Sequence, residues 1–404
     1  MSPYNLADWI PCWTFWSRQG REMNRNLFDT KNHSHWLPRG LLAFLLGLMT
    51  QTVNALPFGV FDARTMAMGG AGVATGSQFA VFNNPALLTT AEEIHEWFAL
   101  VPTLGRFRSD PDNVKDTLDT FQQATNSNPI NQTQVQGYLD ALNGSQYSTS
   151  KNTALALAIP SRILSGAAFF NVYEASTAKP VIGGDNLAAS PPVYNSTLAQ
   201  RGLRIVENGV GMAKLLEADR PWKRNLAVGV NAKFLLVSGY GYSEPLTSAD
   251  IDISHSNSAN GSQFSFDIGL LKEFGVWKLG LVAKNIIPAN FQYGNSGESF
   301  RIEPQVRAGF AYQSRYTVFE LDIDLLENKP VGFDLPSQIA ALGWEWQAWK
   351  WLTLRAGYQQ NLTGNEAEYG AAGIGLNIDL LQIDIAAFNG DEGEGVAAQF
   401  GLQF

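Results

Sequence analysis

The residues of this sequence best able to do chemistry are charged side chains planted singly in apolar alternation. Along 316–325, Glu320, Asp322 and Asp324 fall on one side of a period-2 run, with Thr317, Phe319, Leu321, Ile323 and Leu325 on the other. Asp384 and Gln382 oppose Leu381, Ile383 and Ile385. Lys233 and Asn231 oppose Leu226, Val228, Val230 and Phe234, and Arg355 and Gln359 oppose Leu352, Leu354 and Tyr358. With Lys284 and Arg307 these side chains put acids and bases on the polar faces of strands. Ionised groups in a narrow wet interior are most simply paired, so the set reads as structural cross-braces, with a specific ion or ligand site as the alternative. Catalysis has little to work with. After residue 55 the only histidines are His95 and His255, and Ser254 and Ser256 are loop neighbours of the second, which does not make a triad. The stretch Asp391-Glu392-Gly393-Glu394 reads as a solvated loop tip, or as a weak divalent-cation site. Gly70 to Thr75 lacks the preceding strand and third small residue of a dinucleotide fingerprint. No enzymatic activity, cofactor or resident metal is expected.

Faces of this kind need strands to carry them. In the last ten residues, Val396, Ala398, Phe400, Leu402 and Phe404 alternate with Gln399, Gly401 and Gln403. A soluble domain that ended this way would expose a bare edge, whereas a closed barrel pairs its last strand with its first. Further period-2 runs lie near 95–106, 152–159, 161–173, 199–219, 224–240, 262–274, 277–286, 303–314, 316–325, 337–348, 351–361, 368–378 and 380–389. The pattern predicts an all-β fold, a transmembrane antiparallel barrel of about fourteen strands. Tight connections (Pro160-Ser161, Arg220 to Lys223, Gly275-Val276, Ser314-Arg315, Trp349-Lys350 and Asp379) alternate with long polar ones (107–151, 174–198, 241–261 and 287–302, shrinking to 390–394). That rhythm puts both ends of the barrel in the periplasm. Trp222, Trp277, Tyr316, Trp344, Trp346, Trp349 and Trp351 gather near the tight turns, as an aromatic girdle at the headgroup level would.

At the other end of the chain, Leu41 to Met49 is an apolar run too short to span a bilayer, preceded by Lys31 and Arg39 and followed by Val53-Asn54-Ala55. The expectation is a secretory leader over 1–55, cleaved after Ala55. Met1 to Glu22 reads either as an upstream extension of a chain that starts at Met23 or as a long n-region. The only cysteine is Cys12, so the segment after the cleavage site needs no disulfide and carries no lipoprotein cysteine. A mean hydropathy of −0.10 with no second long apolar run excludes a helical membrane protein. A net charge of −9 leaves no basic stripe for nucleic acid.

Residues 56–92 are neither strand nor linker. Ala67 to Ala74 is a small-residue, Gly-rich stretch containing Gly69, Gly70 and Gly72, and it is followed by Asn84-Pro85-Ala86-Leu87-Leu88. Here the chain resembles the long-chain fatty-acid and hydrocarbon transporter superfamily of outer-membrane barrels (FadL-like). Within that superfamily it is most similar to the conjugal-transfer TraF-like barrels. The resemblance implies that 56–92 is a hatch folded inside a barrel spanning 93–404, with Gly69, Gly70, Gly72, Asn84, Pro85 and Ala86 as its motif. It also implies that Phe404 serves as the signal read by the barrel-assembly machinery. The insert at 107–151 adds two amphipathic helices, with stripes Val114, Leu118, Phe121 and Val135, Leu139, Leu142. These form either a lid on neighbouring loops or an apolar collecting groove. Two functions follow as alternatives. One is a plugged passive transporter of small hydrophobic molecules in the outer membrane of a Gram-negative bacterium, in contact with its lipids. The other is a non-transporting component of a conjugation or secretion apparatus with envelope partners.

Overall fold

The computed structural model describes residues 62–403 apart from 77, 91–97, 160, 162, 217–224, 252–257, 295, 330–331, 364–367 and 391–392. The leader and its cleavage site, His95, His255, Trp222 and Phe404 lie outside the described residues. Sixteen strands follow in chain order: β1 (Phe98–Ser109), β2 (Tyr147–Ile159), β3 (Ser165–Val181), β4 (Thr197–Leu216), β5 (Leu226–Pro245), β6 (Ser258–Phe274), β7 (Trp277–Lys284), β8 (Ala289–Gln292), β9 (Ser299–Ile302), β10 (Gln305–Gln313), β11 (Thr317–Asp324), β12 (Ile339–Trp349), β13 (Leu352–Asn361), β14 (Glu368–Ile378), β15 (Leu381–Gly390) and β16 (Gly393–Gln403).

Fourteen of them form one closed antiparallel barrel, in which β1 pairs with both β2 and β16 and β7 pairs directly with β10. Closure leaves no sheet edge, which answers the question posed by the bare C-terminal alternation. No helix among the described residues is long and apolar enough to cross a membrane. The outward positions are apolar and exposed, including Leu321, Leu342, Ile385 and Val396, while their neighbours Glu320, Asp322 and Asp384 are buried. Of the aromatic girdle, Trp277, Tyr316, Trp344, Trp346, Trp349 and Trp351 are exposed, with Trp344 stacked on Trp346 and Trp349 on Trp351.

Two features of the long-loop end depart from simple alternation. The segment 287–302, expected to be a polar loop, contains β8 and β9, which pair as a separate two-stranded sheet. Phe291, Tyr293 and Ile302 from this hairpin pack on Leu203, Ile205, Leu235 and Val237, so it folds inward over the mouth. Secondly, β3 and β5 extend past the alternating runs. There both faces are covered, and Ala175, Ser176, Thr177 and Ala178 are all buried.

The outward side of this extension carries the helical insert, α2 (Val114–Thr125) and α3 (Gln132–Leu142). An α1 helix precedes them at Ala63–Ala67. All six stripe residues of α2 and α3 are buried, in one cluster with Tyr147, Ala178, Leu198, Leu246 and Ala249. Tyr147 and Ala178 are cross-strand partners, and Tyr147 shares its parity with outward Leu155. The stripes are therefore spent in packing the insert onto the strands and loops, which is the lid arrangement and not the groove.

Candidate functional site

Residues 62–90 run inside the ring of strands. Asp62 caps α1, its carboxylate accepting from the Thr65 backbone N–H at 2.7 Å and from the Thr65 hydroxyl at 2.7 Å, while Asn83 Nδ2 donates to the same carboxylate at 2.6 Å. Gly69 and Gly70 follow the helix with φ of +68° and +94°, a conformation that glycine adopts without strain. Two 3-10 turns complete the segment, Gln78–Phe82 and Pro85–Thr89. Asn84 ties its parts together. Its Oδ1 accepts from the Ala86 N–H at 3.0 Å, and its Nδ2 donates to Val73 O at 2.8 Å and to Leu270 O of β6 at 3.2 Å.

Two acids of β11 clasp this segment by its backbone. Asp322 Oδ2 accepts from the N–H groups of Gly72 (2.8 Å) and Val73 (3.0 Å). Glu320 Oε1 accepts from those of Ala74 (2.6 Å) and Thr75 (3.1 Å), and Glu320 Oε2 also accepts from the Thr75 hydroxyl. Four consecutive amides thus converge on two carboxylates, as they do in backbone anion nests. On the same inward face, Arg307 of β10 donates to Gly70 O at 3.3 Å and holds Asp324 at 2.6 Å. Asp324 in turn accepts from Asn328 Nδ2 at 3.0 Å and from the Ile339 N–H at 2.9 Å.

Two further braces are made by inward charges, with Lys284 also buried. Arg355 bridges Glu345 and Asp384, both at 2.7 Å, and Arg64 of α1 joins Glu345 at 2.8 Å. Gln382 donates to Asp384 at 2.7 Å. Lys233 bridges Glu207 and Asp267, both at 3.0 Å. Burial of these ions is tolerable because each is paired and hydrogen-bonded. Arg64, Glu207, Asp267 and Glu345 went unremarked in the sequence, although Glu345 between Trp344 and Trp346 and Asp267 between Phe266 and Ile268 carry the same isolated-charge signal as Asp322.

The wall opposite the segment is made smooth by glycine. Three cross-strand pairs face each other directly: Gly229 with Gly269, Gly280 with Gly309, and Gly343 with Gly357. A Cβ on Gly229 would collide with the Pro85 and Ala86 backbone, one on Gly280 with Val73, one on Gly343 with Met68 at 2.7 Å, and one on Gly357 with Met68 and Gly69. The motif residues Gly69, Pro85 and Ala86 thus meet complementary glycines on the strands. That pairing of small with small is legible only once the register is known.

At the mouth, Arg201 holds Glu298 of the β8–β9 hairpin through two bonds at 2.7 and 2.9 Å. Tyr293 Oη accepts from the Gly332 N–H at 2.8 Å, and Thr177 Oγ1 accepts from the Phe333 N–H at 3.1 Å, which binds the β11–β12 loop into the same closure.

A closed fourteen-stranded barrel with a helical segment inside and an inward hairpin above is a FadL-like fold. A TodX deletion mutant described as a monoaromatic hydrocarbon channel is 12% identical, with a TM-score of 0.53, covering 85% of this chain and 98% of its own. The toluene transporter TodX of P. putida is 11% identical, with a TM-score of 0.50, over 85% of this chain and 97% of its own. A FadL homologue of Pseudomonas aeruginosa is 12% identical, with a TM-score of 0.45, over 86% and 98%. At such identities the likeness is one of fold. Residues 81–324 match the family described as "F plasmid transfer operon, TraF, protein", and the chain belongs to that family. No curated protein matches it.

Proposed function

We propose that this protein is a passive transporter of small hydrophobic molecules in the outer membrane of a Gram-negative bacterium, held shut by residues 62–90 acting as a plug. The observation that carries the reading is the clasp of the Gly72 to Thr75 amides on Glu320 and Asp322. Polar contacts between a backbone and two side chains can be exchanged for water without dismantling the wall, while the packing of Val81, Phe82 and Leu88 on Ala154, Ala156 and Phe169 has to be given up when the segment moves. The glycine pairs support the same reading, since a flat wall lets the segment withdraw. The channels and transporters of similar fold named above fit this class of cargo. Export through a cleaved leader after Ala55, and assembly through Phe404, belong to the proposal.

The family description favours a second reading, an envelope component of a conjugation apparatus. A thiol-redox role within it is unsuited to this chain, whose one cysteine is Cys12.

Accumulation of a lipophilic fluorophore by intact cells separates the two. Cells expressing the full chain are expected to load it severalfold faster than cells lacking it. Equal loading together with an altered conjugation frequency would replace the transporter by the apparatus role.

A further inference from the structure

Between the plug and the wall formed by β1, β2, β3, β14 and β15 lies a cavity of about 190 Å³, lined by Met66, Phe107, Asn152, Tyr173, Tyr369 and Phe388 among others. Its floor is the backbone of Gly69 and Gly70. None of its side chains belongs to the charged braces. Three of the rings form a packed cluster on its lining. Phe107 stacks on Phe388 at 5.5 Å, and Tyr369 meets both edge-on at 5.8 and 5.6 Å. Such a surface favours a flat apolar body. A cavity of about 150 Å³ suffices for one benzene-sized molecule, so this one has room for a single substituted ring.

One buried polar atom of the lining is left over, beside the exposed Arg106 and Lys151 and the half-buried Gln359. The Tyr173 hydroxyl is hydrogen-bonded to Ser150. Asn152, by contrast, is 8% exposed, and its Nδ2 has no hydrogen-bond partner. Its Oδ1 lies over Gly105, where a Cβ would collide with it. A buried amide donor without a partner costs about 1–3 kcal/mol, and the terminal torsion of asparagine is soft enough to turn the amide toward a partner in the cavity.

We infer that this cavity binds one ring-sized apolar molecule bearing a single oxygen, of the phenol class, with the ring against the Phe107–Tyr369–Phe388 cluster and the oxygen on the Asn152 carboxamide. The inference rests on the transporter reading and specifies its cargo. It separates the site from one for plain hydrocarbons, because a pocket built to hydrogen-bond an oxygen discriminates against the analogue lacking it. Occupancy is placed directly on Gly69 and Gly70, where the plug meets β13.

The test uses the full chain in lipid nanodiscs and equilibrium dialysis against p-cresol and p-xylene, which are near in size and differ by one oxygen, with empty nanodiscs subtracting lipid partition. Wild type is expected to retain p-cresol about tenfold more tightly than p-xylene, the worth of one net hydrogen bond. Asn152→Leu should abolish that preference, with unchanged gel mobility before heating reporting that the variant is folded. Phe388→Ala should weaken both probes. Equal retention of the two probes by wild type, a preference that survives Asn152→Leu, or no protein-dependent retention of either probe would overturn the assignment. Retention as expected in a protein whose cells take up no lipophile would keep the site and remove the transporter, whereas uptake without retention would do the reverse.

Discussion

Replacing Glu320 and Asp322 together by alanine is expected to release the plug while leaving the barrel assembled. The four amides of Gly72 to Thr75 lose their acceptors, while Arg64 and Arg307 keep Glu345 and Asp324 as partners. Charge-assisted hydrogen bonds contribute about 1.5–3 kcal/mol each in buried settings, and water repays part of that loss once the segment moves. A net change of roughly 4 kcal/mol shifts the closed-to-open ratio by about three powers of ten. Hydrogen exchange at these four amides should accelerate by a similar factor, with wall amides of β13 to β16 unchanged. Glu320→Gln with Asp322→Asn keeps acceptor oxygens in place and should give a much smaller acceleration. Unchanged protection in the alanine variant would mean that the clasp does not hold the segment.

A steric change should act as strongly from β13, two strands along the same wall. In Gly357→Leu the new side chain points at the backbone of Met68 and Gly69, which has no flexible end to give way. Overpacking of this kind costs about 1–3 kcal/mol, and more where backbone must move. The segment is expected to back off, so that added protease cuts within 62–90, while the folded barrel keeps its gel mobility before heating. Gly370→Leu is the matched control. That glycine is exposed, and the only atom near a Cβ there is Asn389 O at 3.9 Å. Equal protease resistance in the two variants would contradict the contact between the plug and β13.

Much of this architecture was legible before the structure, and for one reason: a barrel strand must alternate. Fourteen strands, the tight turns at Gly275-Val276 and near Trp349-Lys350 and the inward positions of Lys233, Glu320, Asp322 and Asp384 all follow from period-2 patterning, and the helices of the insert from stripes at helical spacing. The pattern failed where its cause was absent. Along Ala175 to Ala178 both faces are covered, one by the insert and the other by the mouth, so no alternation marks the upper part of β3. The strands β8 and β9 are four residues each, too short for a period to stand out against the Asn, Gly and Ser around them. The ring cluster at Phe107, Tyr369 and Phe388 was invisible for another reason. Its members come from β1, β14 and β15, and only the closure of β1 on β16 brings them together.

The measurement that bears most directly on the plug is single-channel conductance in planar bilayers of the full chain beside a variant lacking 62–90. With the segment in place the barrel should be near-silent. Without it, a ring of fourteen strands with a polar inner face should conduct steadily, since a barrel of that size encloses a passage wide enough for water and ions. Equal conductance in the two proteins would contradict the plug.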